Sequence, residues 1–187
     1  EGKRSGASIA TRIDELLPNG WPKRPTWIVA VRTNDGRRIV FGRDDVAGTV
    51  GQATQASAAI PAFYTPVRIG DRSYVDGALH SSTNADLVAS LGFDLVMISS
   101  VKTATPDARS WRSDPERAWF SNKLDNELAE IRSTGTPAIV IEPDDTQLEL
   151  LASGERADAC LAGRLAAERV LATSEGAGLR SIVEPAS

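Results

Sequence analysis

The chain holds one cysteine, one histidine and one methionine in 187 residues. A lone cysteine, Cys160, excludes a disulfide framework and a cysteine-based zinc site. Its alanine-rich surroundings read as a helix in which it is a small buried hydrophobe. No His, Cys, Asp or Glu constellation has metal-ligand spacing, and no glycine-rich phosphate cradle or dinucleotide fingerprint is present, so neither metal nor cofactor is expected. No apolar run approaches the roughly 20 residues needed to cross a bilayer; the long apolar stretch, Leu95 to Ser100, has the length of a strand. A net charge of −4 argues against nucleic acid, whose phosphates demand a basic surface. No signal peptide is visible, and a cytoplasmic protein, or one peripheral at membranes, is the expectation.

What is present is globular: 41% hydrophobic and 25% charged residues, in a length suited to one domain. Residues 8–17 read as a helix, with Ser8 as its N-cap and Ile9, Ile13, Leu16 and Leu17 as one apolar stripe before Pro18. Residues 26–33 (TWIVAVRT) suit a buried central strand. Asn34-Asp35-Gly36 turns the chain into a second strand over residues 38–41, which makes a hairpin. Residues 46–59 read as a helix ending at Ile60-Pro61. Residues 67–69 and 73–75 flank Gly70-Asp71-Arg72 as a second hairpin. Asn84 suits the cap of a helix over 85–91 that Gly92 stops. Residues 94–100 then form a buried strand, parallel to its neighbours because a helix crosses over.

Residues 102–115 are polar and read as a surface loop, closed by Asp114-Pro115 as a cap and first helical position. Phe120, Leu124, Leu128 and Ile131 give an amphipathic helix over about 116–133. Residues 137–142 form the last strand, 155–174 an alanine-rich helix, and 176–187 a loose tail. Helices alternating with short apolar strands define an α/β layered fold. No internal repeat or second domain boundary is legible.

Three segments carry the chemistry: Ala56-Ser57-Ala58-Ala59-Ile60-Pro61, then Pro66-Val67, then Tyr74-Val75-Asp76-Gly77-Ala78. Read from the residues alone, Asp76 ends a strand and Gly77 permits a close backbone approach behind it, which suits a carboxylate aimed into a crevice. Asp-Gly is equally the signature of a plain turn. In order and spacing the three segments resemble the second half of a patatin-like lipid acyl hydrolase, a family that cleaves ester bonds with a Ser-Asp dyad. The resemblance runs from about Trp21 to Val101. It implies a layered patatin-like sheet with helices on both faces, lacking its N-terminal elements, in a single domain over 1–187 that is the C-terminal part of the family's fold. The family's D-G-G or D-G-A aspartate falls on Asp76, with Gly77 and Ala78 as the supporting motif. Ser57 falls where small residues let a helix approach the sheet. Ala62 stands where the family commonly has glycine.

The family's serine sits in an upstream G-x-S-x-G turn behind a glycine-rich oxyanion loop, and neither motif occurs in these residues. The resemblance therefore implies half an active site, completed by a missing N-terminal half or a partner chain. A first residue of Glu1, with Met97 the only methionine, accords with that expectation. Gly6-Ala7-Ser8-Ile9-Ala10 approaches the elbow motif, which makes Ser8 a weak nucleophile candidate. Only polar residues precede it, whereas an elbow needs a buried strand there, and a helix N-cap accounts for it. His80 lies four residues after Asp76 and reads as a loop residue rather than a triad member. Asp44-Asp45 and Asp144-Asp145 read as solvated turns.

Trp111, Trp119 and Phe120, interleaved with Arg109, Arg112 and Arg117, read either as core or as a contact with acyl chains. The expected activity is that of a serine-type lipid acyl hydrolase acting on a lipid ester, with transient membrane contact. The alternative is a non-catalytic patatin-like fragment that binds lipid or protein. In either case residues 26–33 and 94–100, strands that neighbour others from the absent half, expose unpaired backbone until a partner covers them.

Overall fold

The computed structural model describes residues 2–103 and 115–173. The surface-loop reading beyond residue 103, the Asp114 cap, Trp111 with its neighbouring arginines, and the loose tail lie outside the described residues. The chain forms two compact units, residues 1–81 and 82–187.

The first unit is built on four antiparallel strands: β1 (Ile28–Arg32), β2 (Arg38–Phe41), β3 (Val67–Ile69) and β4 (Arg72–Asp76). Their order is β2-β1-β4-β3. Both expected hairpins form, with Ile28 opposite Phe41 and Val67 opposite Tyr74. Gly36 and Gly70 take φ of 67° and 62° at the two turns, a backbone region that side chains disfavour. β1 is hydrogen-bonded on both sides, to β2 and to β4, so the expectation of an unpaired strand at 26–33 is corrected.

Two helices complete this unit, α1 (Ala7–Leu16) and α2 (Val50–Ser57). The expected helix over 46–59 begins later, because Thr49 and Gln52 form a reciprocal capping box that fixes its start. Ala53, Ala56 and Ala59 bring the α2 segment close to Ala30, Phe41 and Tyr74, and the last two rings meet edge to face at 5.2 Å. α1 in turn packs against α2. A Cβ at Gly51 would lie 2.3 Å from the Ala10 carbonyl oxygen, so only glycine permits the approach. Asp14 then accepts hydrogen bonds from Gly51 N–H at 2.9 Å and from Thr49 Oγ1 at 2.8 Å, which ties α1 to the start of α2. Two expectations for α1 are corrected. Its N-cap is Gly6 rather than Ser8, and Leu16 is 74% exposed.

The second unit carries a parallel pair, β5 (Val96–Ser99) and β6 (Ala138–Ile141), joined through α3 (Pro115–Ser133). Parallel strands need such a crossover. Phe120, Leu124, Leu128 and Ile131 are the buried face of α3, as their spacing predicts. β5 is not the fully buried strand expected: Val96 and Ile98 face the core, while Met97 is 62% exposed. The expected helix over 85–91 is a single 3-10 turn, Ala85–Val88. Asn84 makes no side-chain cap there. The buried Glu127 carboxylate takes that place, accepting from Ala85 N–H at 3.0 Å and from Thr83 Oγ1.

Residues 142–154 hold a helix that was not expected, α4 (Asp145–Ala152), capped by Asp144 and Gln147 in a second capping box. It precedes α5 (Arg156–Leu171). α5 buries Ala162 and Ala166, four residues apart on one face. Cys160 points elsewhere and is exposed, which corrects its reading as a buried hydrophobe.

Asp14→Ala removes a carboxylate that satisfies two donors at the start of α2. We expect a loss of about 1–2 kcal/mol, read as a lower urea midpoint with an unchanged slope. At the β1–β2 turn, the hydrogen bond from Arg32 lowers the Asp35 carboxyl from its ordinary value of 3.8 to about 2. A depressed carboxylate stabilises the fold above its ordinary value and loses that contribution as pH falls toward about 2. Asp35→Asn is therefore expected to flatten the acid limb of a melting-temperature profile within this window.

Candidate active site

Asp76 is the last residue of β4, opposite Ala30 of the central strand β1. Its N–H donates to the Ala59 carbonyl at 3.1 Å, so the strand end is tied to the segment leaving α2. Its side chain turns back on its own backbone, and Oδ1 accepts from Ala78 N–H at 2.8 Å. Gly77–Leu79 follow as one 3-10 turn that Asp76 caps. One carboxylate oxygen is thereby fixed by a main-chain donor, and among the described residues Oδ2 accepts no hydrogen bond. The residue is half-buried.

Gly77 is needed for a reason of space. A Cβ there would lie 2.4 Å from the Val29 carbonyl oxygen, so the turn after Asp76 presses directly on β1. Ala78 contributes its backbone N–H to the carboxylate. The motif Asp76-Gly77-Ala78 thus supplies a carboxylate, a residue small enough to let it reach the sheet, and the donor that orients it.

The segment Ala59–Tyr64 is joined to this strand end through the Ala59 carbonyl. Phe63 N–H and Tyr64 N–H both donate to the Ile60 carbonyl, which closes a tight turn around Pro61. Ala62 within it has φ of 70°, the left-handed conformation for which glycine is suited. Ala62 thus stands at a glycine-type position without glycine's freedom. Arg4 pairs with this segment on its far side: its N–H donates to the Phe63 carbonyl, and its carbonyl accepts from Thr65 N–H.

Ser8 is the second residue of α1 and is exposed. A single bridge at Arg4, rather than a strand, precedes it. Among the described residues no hydrogen bond joins Ser8 to Asp76. Ser57 lies in the last turn of α2, half-buried. His80 follows the 3-10 turn and donates its backbone N–H to the Gly77 carbonyl. Asp44 closes the turn after β2. Burial pushes its carboxyl up, yet Val40 N–H and Arg43 outweigh this and hold it below its ordinary value. Of the aromatic group, Phe120 is buried and Trp119 is 40% exposed. Trp119 meets the Phe120 ring at 5.0 Å and the Lys123 ammonium at 5.8 Å. Among the described residues no cluster of three or more His, Cys, Asp or Glu could hold a metal ion, and no helix is long and apolar enough to cross a membrane.

A mixed α/β chain whose strand-end aspartate is held in an Asp-Gly-Ala turn is the structural class this geometry defines. Residues 2–89 match the family model described as patatin-like phospholipase, which bears out the resemblance read from the three segments. The match takes in α1 and all four strands of the first unit, beginning before Trp21 and ending before Val101.

Two substitutions test the site's geometry with opposite signs. Gly77→Ala forces backbone apart and is expected to cost about 2–3 kcal/mol. Ala62→Gly relieves a left-handed alanine, partly offset by the entropy glycine adds to the unfolded chain, and is expected to stabilise by about 0.5–1 kcal/mol. Thermal and urea unfolding of the two variants read both signs.

Proposed function

We propose that the chain supplies the aspartate of a Ser-Asp dyad in a lipid acyl hydrolase. The observation that carries this reading is the Asp76 carboxylate, anchored through Oδ1 by Ala78 N–H at 2.8 Å, while Oδ2 accepts no hydrogen bond among the described residues. It lies within the residues that match the patatin-like family model.

In this mechanism a serine from a segment outside these 187 residues, or from a partner chain, attacks the ester carbonyl carbon. Asp76 Oδ2 takes the hydroxyl proton as the Oγ–C bond forms. Backbone amides of the glycine-rich loop that the family carries upstream stabilise the oxyanion. Collapse of the tetrahedral intermediate breaks the bond to the alcohol, which leaves with the proton held by Asp76. Water then attacks the acyl-enzyme and gives its proton to the same carboxylate. The fatty acid is released and the serine regains its hydrogen. The Asp76–Ala78 hydrogen bond keeps the carboxylate from rotating away from the serine between these steps, which is the value of a pre-set orientation.

Asp76→Asn keeps an oxygen for Ala78 N–H and removes the base. In the protein assembled with its serine-bearing segment, hydrolysis of a p-nitrophenyl ester is expected to fall about 10²–10⁴-fold with the fold unchanged by circular dichroism. Undiminished turnover in Asp76→Asn would remove Asp76 from the reaction, and no turnover in the unaltered assembled protein would leave the non-catalytic reading, a patatin-like module that binds lipid or protein.

A further inference from the structure

The turn that follows α2 is unusual in its chemistry. From Ala58 to Tyr64 the sequence reads AAIPAFY, without a polar side chain other than the tyrosine hydroxyl. Ile60, Pro61, Ala62 and Phe63 are all exposed, Ile60 to 42% and Phe63 to 62%. Single exposed apolar residues are ordinary on a protein surface. Four in succession on a loop contradict the polar patterning that keeps loops in water, and call for a function. Leu79, in the 3-10 turn that orients Asp76, is a further apolar side chain at 53% exposure.

This turn is not a slack loop. Pro61 fixes one φ, Ala62 is held at φ 70°, and main-chain hydrogen bonds tie both ends: Ala59 to Asp76, and Phe63 and Thr65 to Arg4. A rigid apolar tip loses little entropy when it is buried by something else. The bridge at Arg4 also sets the charge beside it. Lys3 and Arg4 are exposed, and no ion pair engages either of them among the described residues. Exposed apolar residues with cations at their edge are the pattern of an interfacial anchor, whose apolar part enters the acyl boundary while its cations meet anionic headgroups.

We propose that the Ile60–Phe63 turn, with Lys3 and Arg4 beside it, is the element by which this protein docks on an anionic phospholipid surface. The docking brings the strand end carrying Asp76 to that surface. This rests on the reading of Asp76 as part of a lipid-ester site, and it assigns the membrane contact to the first unit rather than to Trp119 of α3.

Partition of the 187-residue chain onto sedimenting vesicles tests it. Vesicles of pure phosphatidylcholine are compared with vesicles of equal parts phosphatidylcholine and phosphatidylglycerol. The anionic vesicles are expected to bind the chain and to release it at high salt. Phe63→Ser is expected to weaken partition about tenfold. Lys3→Glu with Arg4→Glu is expected to weaken it by about fivefold or more for each cation, on anionic vesicles only. Phe93→Ser, at an exposed apolar residue of the second unit, leaves partition unchanged. Failure of the unaltered chain to bind either vesicle overturns the proposal, as does full binding by Phe63→Ser. A change from dimer to monomer on Phe63→Ser would overturn it in favour of a second copy as the occupant. Binding is read without turnover, so Asp76→Asn should partition normally. If Asp76→Asn instead hydrolysed esters at the full rate, the dyad would fail while the docking result stood.

Discussion

The contact between Gly77 and the Val29 carbonyl is the constraint on which the site depends. Without a Cβ, position 77 lets the chain turn hard against the central strand the moment β4 ends. That turn places Ala78 N–H where Asp76 can fold back onto it. Any larger residue would push the turn off β1 and leave the carboxylate free to swing. Backbone geometry, rather than a neighbouring charge, therefore sets the direction of Asp76.

A second link makes the site more than a turn. Asp76 N–H donates to the Ala59 carbonyl, joining the strand end to the apolar segment after α2. Arg4 grips the other end of that segment. Three stretches distant in sequence, near residues 4, 60 and 76, are thus joined by main-chain hydrogen bonds. Main-chain links hold whatever side chains the turn carries, which leaves Ile60 and Phe63 free to be chosen for contact with a ligand. Ala62 adds strain to this arrangement, and strain of this kind gathers at functional turns where the surroundings over-determine the backbone.

Where local rules decide, the fold was legible in the sequence. Asn34-Asp35-Gly36 and Gly70-Asp71-Arg72 announced both hairpins, and the spacing of Phe120, Leu124, Leu128 and Ile131 marked the buried face of α3. Where a distant residue decides, it was not. The 3-10 turn at Ala85 is capped by Glu127, 42 residues away, so the local rule that points to Asn84 had no means of finding it. Cys160 lies two residues before Ala162, about 200° around the helix, which carries it off the face that Ala162 and Ala166 bury. The unexpected helix α4 did have a local signal, since Asp144 and Gln147 stand at capping-box spacing. The adjacent carboxylates of Asp144 and Asp145 mask that signal, because such a pair is equally at home in a solvated turn. The position of Asp76 at a strand end was readable from its motif. The Ala59 and Val29 contacts that hold it there were not, because they depend on how β1 and the α2 segment meet.

Labelling with a fluorophosphonate, followed by peptide mapping, tests the central claim most directly, because such probes modify only activated serines. The assembled protein is predicted to carry the label on a serine contributed from outside these 187 residues, and to lose it in Asp76→Asn. A label on Ser8, or labelling that persists undiminished in Asp76→Asn, would contradict the account.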